Sequence, residues 1–140
     1  MAIANSFLLS ADQAHALNPN FSEKHENLHK ITLDHGVVIK YNSNQRYATS
    51  SFSSSIIQII AKKCGIPVQK FSIRNDMSCG TTVGPILAAL IGMIVVDIGF
   101  PMLSMHSIRE MCASSSVSQA IKLYHEYYLE LPKVFADSEQ

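Results

Sequence analysis

Residues 83–103 constrain this chain most, because the run is almost wholly apolar and Asp97 is its only charge. On length alone such a run can cross a bilayer. Gly84, Pro85, Gly92, Gly99 and Pro101 break it, and Asp97 sits well inside it. The run therefore reads as a buried helix, a tight turn and a buried strand. Thr81 or Thr82 can cap the helix, which runs to about Ile91. Pro85 is tolerated in the first turn, where its missing N–H is not needed. Gly92 ends the helix, and residues 93–98 form a continuous apolar strand of the kind covered on both faces.

The flanking sequence supplies the other elements. Residues 6–9 look like a short strand that ends in a polar loop over 10–15, and Pro19 marks a turn at 18–20. Residues 21–35 are polar and irregular, and the β-branched run Val37–Tyr41 is a strand. Ser50 can cap a helix in which Phe52, Ile56, Ile59 and Ile60 recur at helical spacing, and Gly65-Ile66-Pro67 stops it. Residues 68–74 make another strand, with Phe71 and Ile73 alternating. A loop follows at 75–80, and a second at 99–106. Val117, Ile121, Tyr124, Tyr128 and Leu131 form one stripe of a final helix, which Pro132 closes, leaving a frayed tail at 132–140. The order of strands and helices predicts an α/β layer structure with a largely buried sheet.

Composition narrows the function. The chain has 140 residues, one domain's worth, with 47% hydrophobic and 16% charged residues, which excludes a disordered tail or a charged helical rod. Eleven basic residues balance eleven acidic ones, so no net field favours nucleic acid or an anionic membrane. Cys64, Cys79 and Cys112 are sparse and odd in number, which points to a reducing compartment. Residues 1–10 lack a basic n-region, so no signal peptide is expected.

Four segments can carry chemistry. His25-Glu26-Asn27-Leu28-His29 matches H-E-x-x-H, a zinc-protease motif when it lies on a packed helix. Its polar surroundings and Pro19 upstream indicate a solvated loop instead. Asp12 follows a short strand, where open α/β sheets bind ligands and where a carboxylate suits a hard or borderline cation. Such an aspartate also serves in turns. His106 likewise lies one loop beyond a strand, as a core histidine or as a ligand converging with Asp12. Gly80-Thr81-Thr82 opens a helix and can either bind an anionic group or cap the helix. Cys79 reads as a small buried residue.

Five blocks, in order, resemble the aspartyl aminopeptidases, the M18 group of cocatalytic zinc exopeptidases. They are Ser-Ala-Asp-Gln-Ala-His-Ala at 10–16, Asn-Pro-Asn-Phe at 18–21, Val-Ile-Lys-Tyr-Asn-Ser-Asn-Gln-Arg-Tyr-Ala at 38–48, Arg-Asn-Asp-Met-Ser-Cys-Gly-Thr-Thr-Val-Gly-Pro-Ile-Leu at 74–87 and Met-His-Ser-Ile-Arg-Glu-Met at 105–111. The resemblance implies a zinc-exopeptidase-type sheet with helices on both faces. It implies two zinc ions, with Asp12 a ligand of one (and a neighbour of the substrate) and His106 a ligand of the other. It makes His15, Lys40 and Tyr47 substrate contacts, with Lys40 the partner of an acidic side chain. Arg109 and Glu110 are expected to hold the His106 loop. The activity implied is release of Asp or Glu from a peptide N-terminus, in a homo-oligomer, in the cytoplasm or a vacuole. No nucleic acid and no membrane are expected as partners. The family carries its remaining metal ligands and its general-base glutamate upstream of the Asp12 block. The 140 residues are thus expected to be a C-terminal part of the catalytic domain and inactive when isolated. The alternative is an inactive truncated homologue that serves as an assembly or regulatory partner.

Overall fold

The computed structural model describes residues 2–137. In chain order the elements are β1 (Phe7–Ala11), β2 (Ala14–His15), β3 (Val37–Tyr41), α1 (Ser51–Lys63), β4 (Val68–Ser72), α2 (Val83–Ile91), β5 (Ile94–Gly99), β6 (Pro101–Leu103), β7 (Met111–Cys112) and α3 (Ser114–Asp137). Four strands form the main sheet in the order β1-β5-β3-β4, and β2-β6-β7 form a smaller one. β1 pairs parallel with β5, β3 parallel with β4, and β3 antiparallel with β5. This is the mixed α/β architecture expected.

Alternation along the strands sorts the side chains onto two faces. Val37, Ile39, Val96 and Ile98 point to one face and pack with Ile56, Ile57 and Ile60 of α1 and Leu123, Tyr127 and Val134 of α3. Val38 and Phe71 point to the other, with Ala14 and Ile31. Helix α1 begins as its serines dictate. Ser50 Oγ accepts from the Ser53 N–H at 3.1 Å and Ser53 Oγ accepts from the Ser50 N–H at 3.0 Å, a reciprocal cap. It ends with Gly65 in the left-handed region (φ 68°), the Ile66 N–H bonding to the Ala61 carbonyl and the Gly65 N–H to that of Lys62.

The structure corrects several expectations. β1 runs on through Ser10 and Ala11, and His15 lies on β2, because the 10–15 segment pairs with β5 and β6. The 99–106 segment likewise contains β6. In α1, Phe52 and Ile59 are exposed, while Ser53 and Ser54 are buried. Helix α2 is not buried: Leu90 is 74% exposed, and Val83, Ile86 and Ile91 also face outward. An apolar run records hydrophobicity but not which faces find cover. Of the expected α3 stripe, Val117, Ile121 and Tyr128 are exposed, whereas Tyr124 and Leu131 pack partly buried against the core beside the buried Leu123, Tyr127 and Val134. Pro132 does not close α3 but lies inside it. Beyond the proline the helix is held by Phe135, whose ring packs against Phe7 and Phe52 at centroid distances of 6.3 and 6.1 Å. The expected fraying of 132–140 is thus contradicted up to Asp137, and the rest lies outside the described residues. No helix among the described residues is long and apolar enough to cross a membrane.

Candidate active-site cleft

A cleft of about 190 Å³ opens where β1, β3 and the β6–β7 loop meet the start of α2. Asp12, His15, Lys40, Tyr47 and His106 all line it. The five residues nominated from the sequence, spread over 95 positions of chain (106 − 12 + 1), therefore reach one place.

Each has a local reason for its position. Asp12 leaves the carboxyl end of β1 and is fixed by its N–H bond to the Ile98 carbonyl at 3.0 Å. The chain can turn there because Gly99 lies beneath it: a Cβ at 99 would stand 1.9 Å from the Asp12 carbonyl oxygen. His106 sits in the left-handed region (φ 66°), an uncommon conformation for a residue with a side chain. The Glu110 carboxylate accepts its N–H at 2.5 Å, so Glu110 holds this loop as expected. The Arg109 N–H bonds to Ser107 Oγ at 3.1 Å within the same loop.

The floor is electrostatic. Lys40 is only 3% exposed, with its Nζ 3.7 Å from Asp12 Oδ2 and 5.5 Å from the centre of the Tyr47 ring. Burial lowers the Lys40 pKa, while Asp12 and then Asp97 pull it back up. Asp12 itself is 62% exposed at the mouth. His15 is exposed along the rim, yet partial desolvation lowers its pKa below 6.5, and His25, Lys40 and His106 push the same way against Asp12. These influences favour the neutral imidazole. Desolvation raises the Tyr47 phenol well above its usual range, helped by the Cys79 thiol, whose Sγ lies 3.5 Å from Tyr47 Oη.

Cys79 is thus no buried filler: it is half-buried and lines the cleft. The Thr82 expectation changes as well. Thr82 occupies the N-cap position of α2, but its side chain makes no cap bond and its Oγ1 is buried without a hydrogen-bond partner. The third helical position is Pro85, which has no N–H to offer it. His25 and His29 do not share a helix face, since the segment is irregular, which removes the H-E-x-x-H reading. His25 is half-buried and its Nε2 accepts the Asn18 N–H at 3.2 Å, so it is not merely solvated; His29 pairs with Glu26 at 2.7 Å.

The residue that sequence reasoning passed over is Asp97. Its carboxylate is fully buried beside the cleft floor, accepting from Ser10 Oγ and the Ala48 N–H, each at 2.6 Å. Its place inside an apolar run was the available signal. As for metal, a carboxylate and an imidazole at the cleft are donors that zinc takes. Among the described residues no three His, Cys, Asp or Glu side chains gather into a metal-binding group. The residues fit part of a zinc site.

Solved structures define the class first. The chain superposes on a chain of the Ape4 and Nbr1 complex with a TM-score of 0.92 and 45% identity, over 94% of this chain and 25% of that one. The mApe1 dodecamer of S. cerevisiae gives 0.85 and 32%, over 96% of this chain and 29% of that one. This is the α/β fold of the M18 aminopeptidases. The family model described as aminopeptidase I zinc metalloprotease (M18) matches residues 1–128, and the chain belongs to that family. Among curated relatives, a probable aspartyl aminopeptidase of Ricinus communis is 53% identical over 91% of this chain. The aspartyl aminopeptidase of Dictyostelium discoideum is 48% identical over 96%. The chain spans 26% and 28% of the lengths of these two relatives.

Proposed function

We propose that the whole protein of which these residues form part is a zinc-dependent aspartyl aminopeptidase, releasing Asp or Glu from peptide N-termini. The observation that carries this reading is the convergence of Asp12, His15, Lys40, Tyr47 and His106 on one cleft in an M18 chain. Asp12 and His106 would each hold one of two zinc ions. Bound zinc supplies an acidified water and a polarised scissile carbonyl. His15 can donate a hydrogen bond to the peptide at the cleft rim. Lys40 presents a buried ammonium, steadied by the Tyr47 ring, to a side-chain carboxylate. The general base and remaining ligands would come from the rest of the protein, so the isolated 140 residues would be inactive. The similar structure described as a dodecamer supports a homo-oligomer for the whole protein. Three unpaired cysteines support a reducing, cytoplasmic location.

The test is Lys40→Met in the whole protein. A charge-assisted contact contributes roughly 1.5–3 kcal/mol, so kcat/KM on an aspartyl peptide should fall about 10- to 150-fold. An alanyl peptide should be little affected, and zinc content should hold constant. An equal fall on both substrates would defeat the acidic-specificity reading.

A further inference from the structure

We propose that Asp97 is a positioning residue for Lys40, the fixed buried counter-charge that holds its ammonium at the cleft floor. The register carries this. β3 and β5 pair antiparallel through Val38↔Gly99 and Ile39↔Ile98, where the ladder ends, and alternation along the two strands sets the next residues, Lys40 and Asp97, on the same face of the sheet. On the other side of β5, Ser10 of β1 stands opposite Asp97. Directly opposed residues point to the same face. Ser10, Asp97 and Lys40 therefore form a polar row across three neighbouring strands, and each is at least 97% buried.

The row is built into its surroundings. Asp97 Oδ1 accepts from Ser10 Oγ, and Oδ2 accepts from the Ala48 N–H in the segment that carries Tyr47. The Asp97 N–H donates to Thr49 Oγ1 at 3.0 Å. Gly84, in the first turn of α2, lies directly on the carboxylate, and a Cβ there would stand 2.5 Å from Oδ2. Two neutral donors offset only part of the cost of burying a carboxylate; an opposite charge on the adjacent strand offsets the rest. Asp12 cannot play this part alone. It is mostly exposed, at 3.7 Å from Nζ, and it is the proposed metal donor. Asp97 makes no direct ion pair with Lys40, but its charge acts on the ammonium across the buried face and stays there whatever Asp12 binds. The consequence for selectivity rests on the acidic-substrate reading; the pairing itself does not.

Asp97→Asn keeps the shape and both hydrogen bonds, because a serine hydroxyl both donates and accepts, and removes only the charge. Urea unfolding of the chain with Asp97→Asn, Lys40→Met and both tests the pairing. Each single variant should lower the midpoint, and the double variant should unfold no earlier than the weaker single one. Additive losses would overturn the proposal. Should Asp97→Asn alone fail to fold, a cooperative transition in the double variant supports the pairing and its absence refutes it. In the whole protein, Asp97→Asn should lower the ratio of aspartyl to alanyl kcat/KM by about tenfold or more, mostly through KM, with the alanyl kcat unchanged. An unchanged ratio, where Lys40→Met does shift it, would overturn the positioning role. If Lys40→Met itself leaves the ratio intact, the acidic-substrate reading fails, and the stability cycle alone decides the pairing.

Discussion

Replacing Gly99 with alanine probes how Asp12 reaches the cleft. A Cβ at 99 would lie 1.9 Å from the Asp12 carbonyl oxygen, 2.8 Å from the Gln13 carbonyl carbon and 2.9 Å from the Ala14 nitrogen. All three are backbone atoms. They cannot swing aside as a side chain would, because the Asp12 and Ala14 N–H groups bond to the Ile98 and Phe100 carbonyls, each at 3.0 Å. Overpacking of a buried site costs roughly 1–3 kcal/mol. Loosening the two hydrogen bonds adds about 1 kcal/mol each. The sum, about 3–5 kcal/mol, should lower Tm by about 10–20 °C in a chain of this size. Gly80 is the control: it borders the same cleft, nothing lies within 4 Å of its added Cβ, and its φ is not positive. Gly80→Ala should melt within about 2 °C of the parent. Thermal unfolding followed by far-UV circular dichroism reads both. If Gly99→Ala melts within about 3 °C of the parent, the close crossing of β5 by the Asp12 segment is not what shapes the cleft mouth.

Zinc titration of the 140-residue chain by calorimetry should show no stoichiometric submicromolar site, since Asp12 and His106 are fewer donors than the three or four a stable site uses; tight binding lost in His106→Ala would contradict this. His25→Ala should cost about 1 kcal/mol in urea unfolding, because the Asn18 N–H loses its acceptor, while His29→Ala should cost less than about 0.5 kcal/mol; equal effects would contradict the split. Lys133 and Lys63 hold the Glu130 carboxyl down to about 2 from its usual 4.5. The unfolded chain therefore binds more protons between those values, and stability present above about pH 4.5 is lost as the pH falls toward 2. Urea midpoints measured across that window should converge for the parent and Glu130→Gln; a constant offset would show that the Lys133 and Lys63 pairs with Glu130 contribute no charge-dependent stability.

Most of the element order was legible because its signals are local. The serine cap of α1, the Gly65 stop and the left-handed Gly92 each act within a turn, and each lies where the residues indicate. What failed were statements about faces. Helix α3 carries apolar residues on two sides, Val117-Ile121-Tyr128 on one and Leu123-Tyr127-Val134 on the other, and helical periodicity is satisfied by either. Only packing against α1 selects the second. Helix α2 is apolar nearly all round, so its sequence cannot say that little but Gly84 would be covered. Pro132 misled for a related reason: a proline penalises a helix by about 3 kcal/mol, but Val134 is buried and the Phe135 ring packs beyond it, tertiary contacts that a local helix rule does not record.

The cleft divides along the same line. His15, Lys40 and Tyr47 were found through motif resemblance, which records residue identity without geometry, while Asp12 and His106 were also marked by their places beyond the ends of strands. Asp97 was visible only as a charge in an apolar run, where its burial argued against a membrane span and nothing more. Its chemical meaning depends on two registers, Ser10↔Asp97 on one side and the extension of Ile39↔Ile98 on the other. A shift of one residue in either pairing would turn a side chain to the opposite face and leave the carboxylate without its row. That register follows from the apolar alternation of β3 and β5, which puts Val37, Ile39, Val96 and Ile98 against α1 and α3. The residues that make the core therefore also decide that Lys40 and Asp97 share the buried face beneath the cleft, and substitutions that weaken the core alternation should disturb the cleft before they unfold the chain.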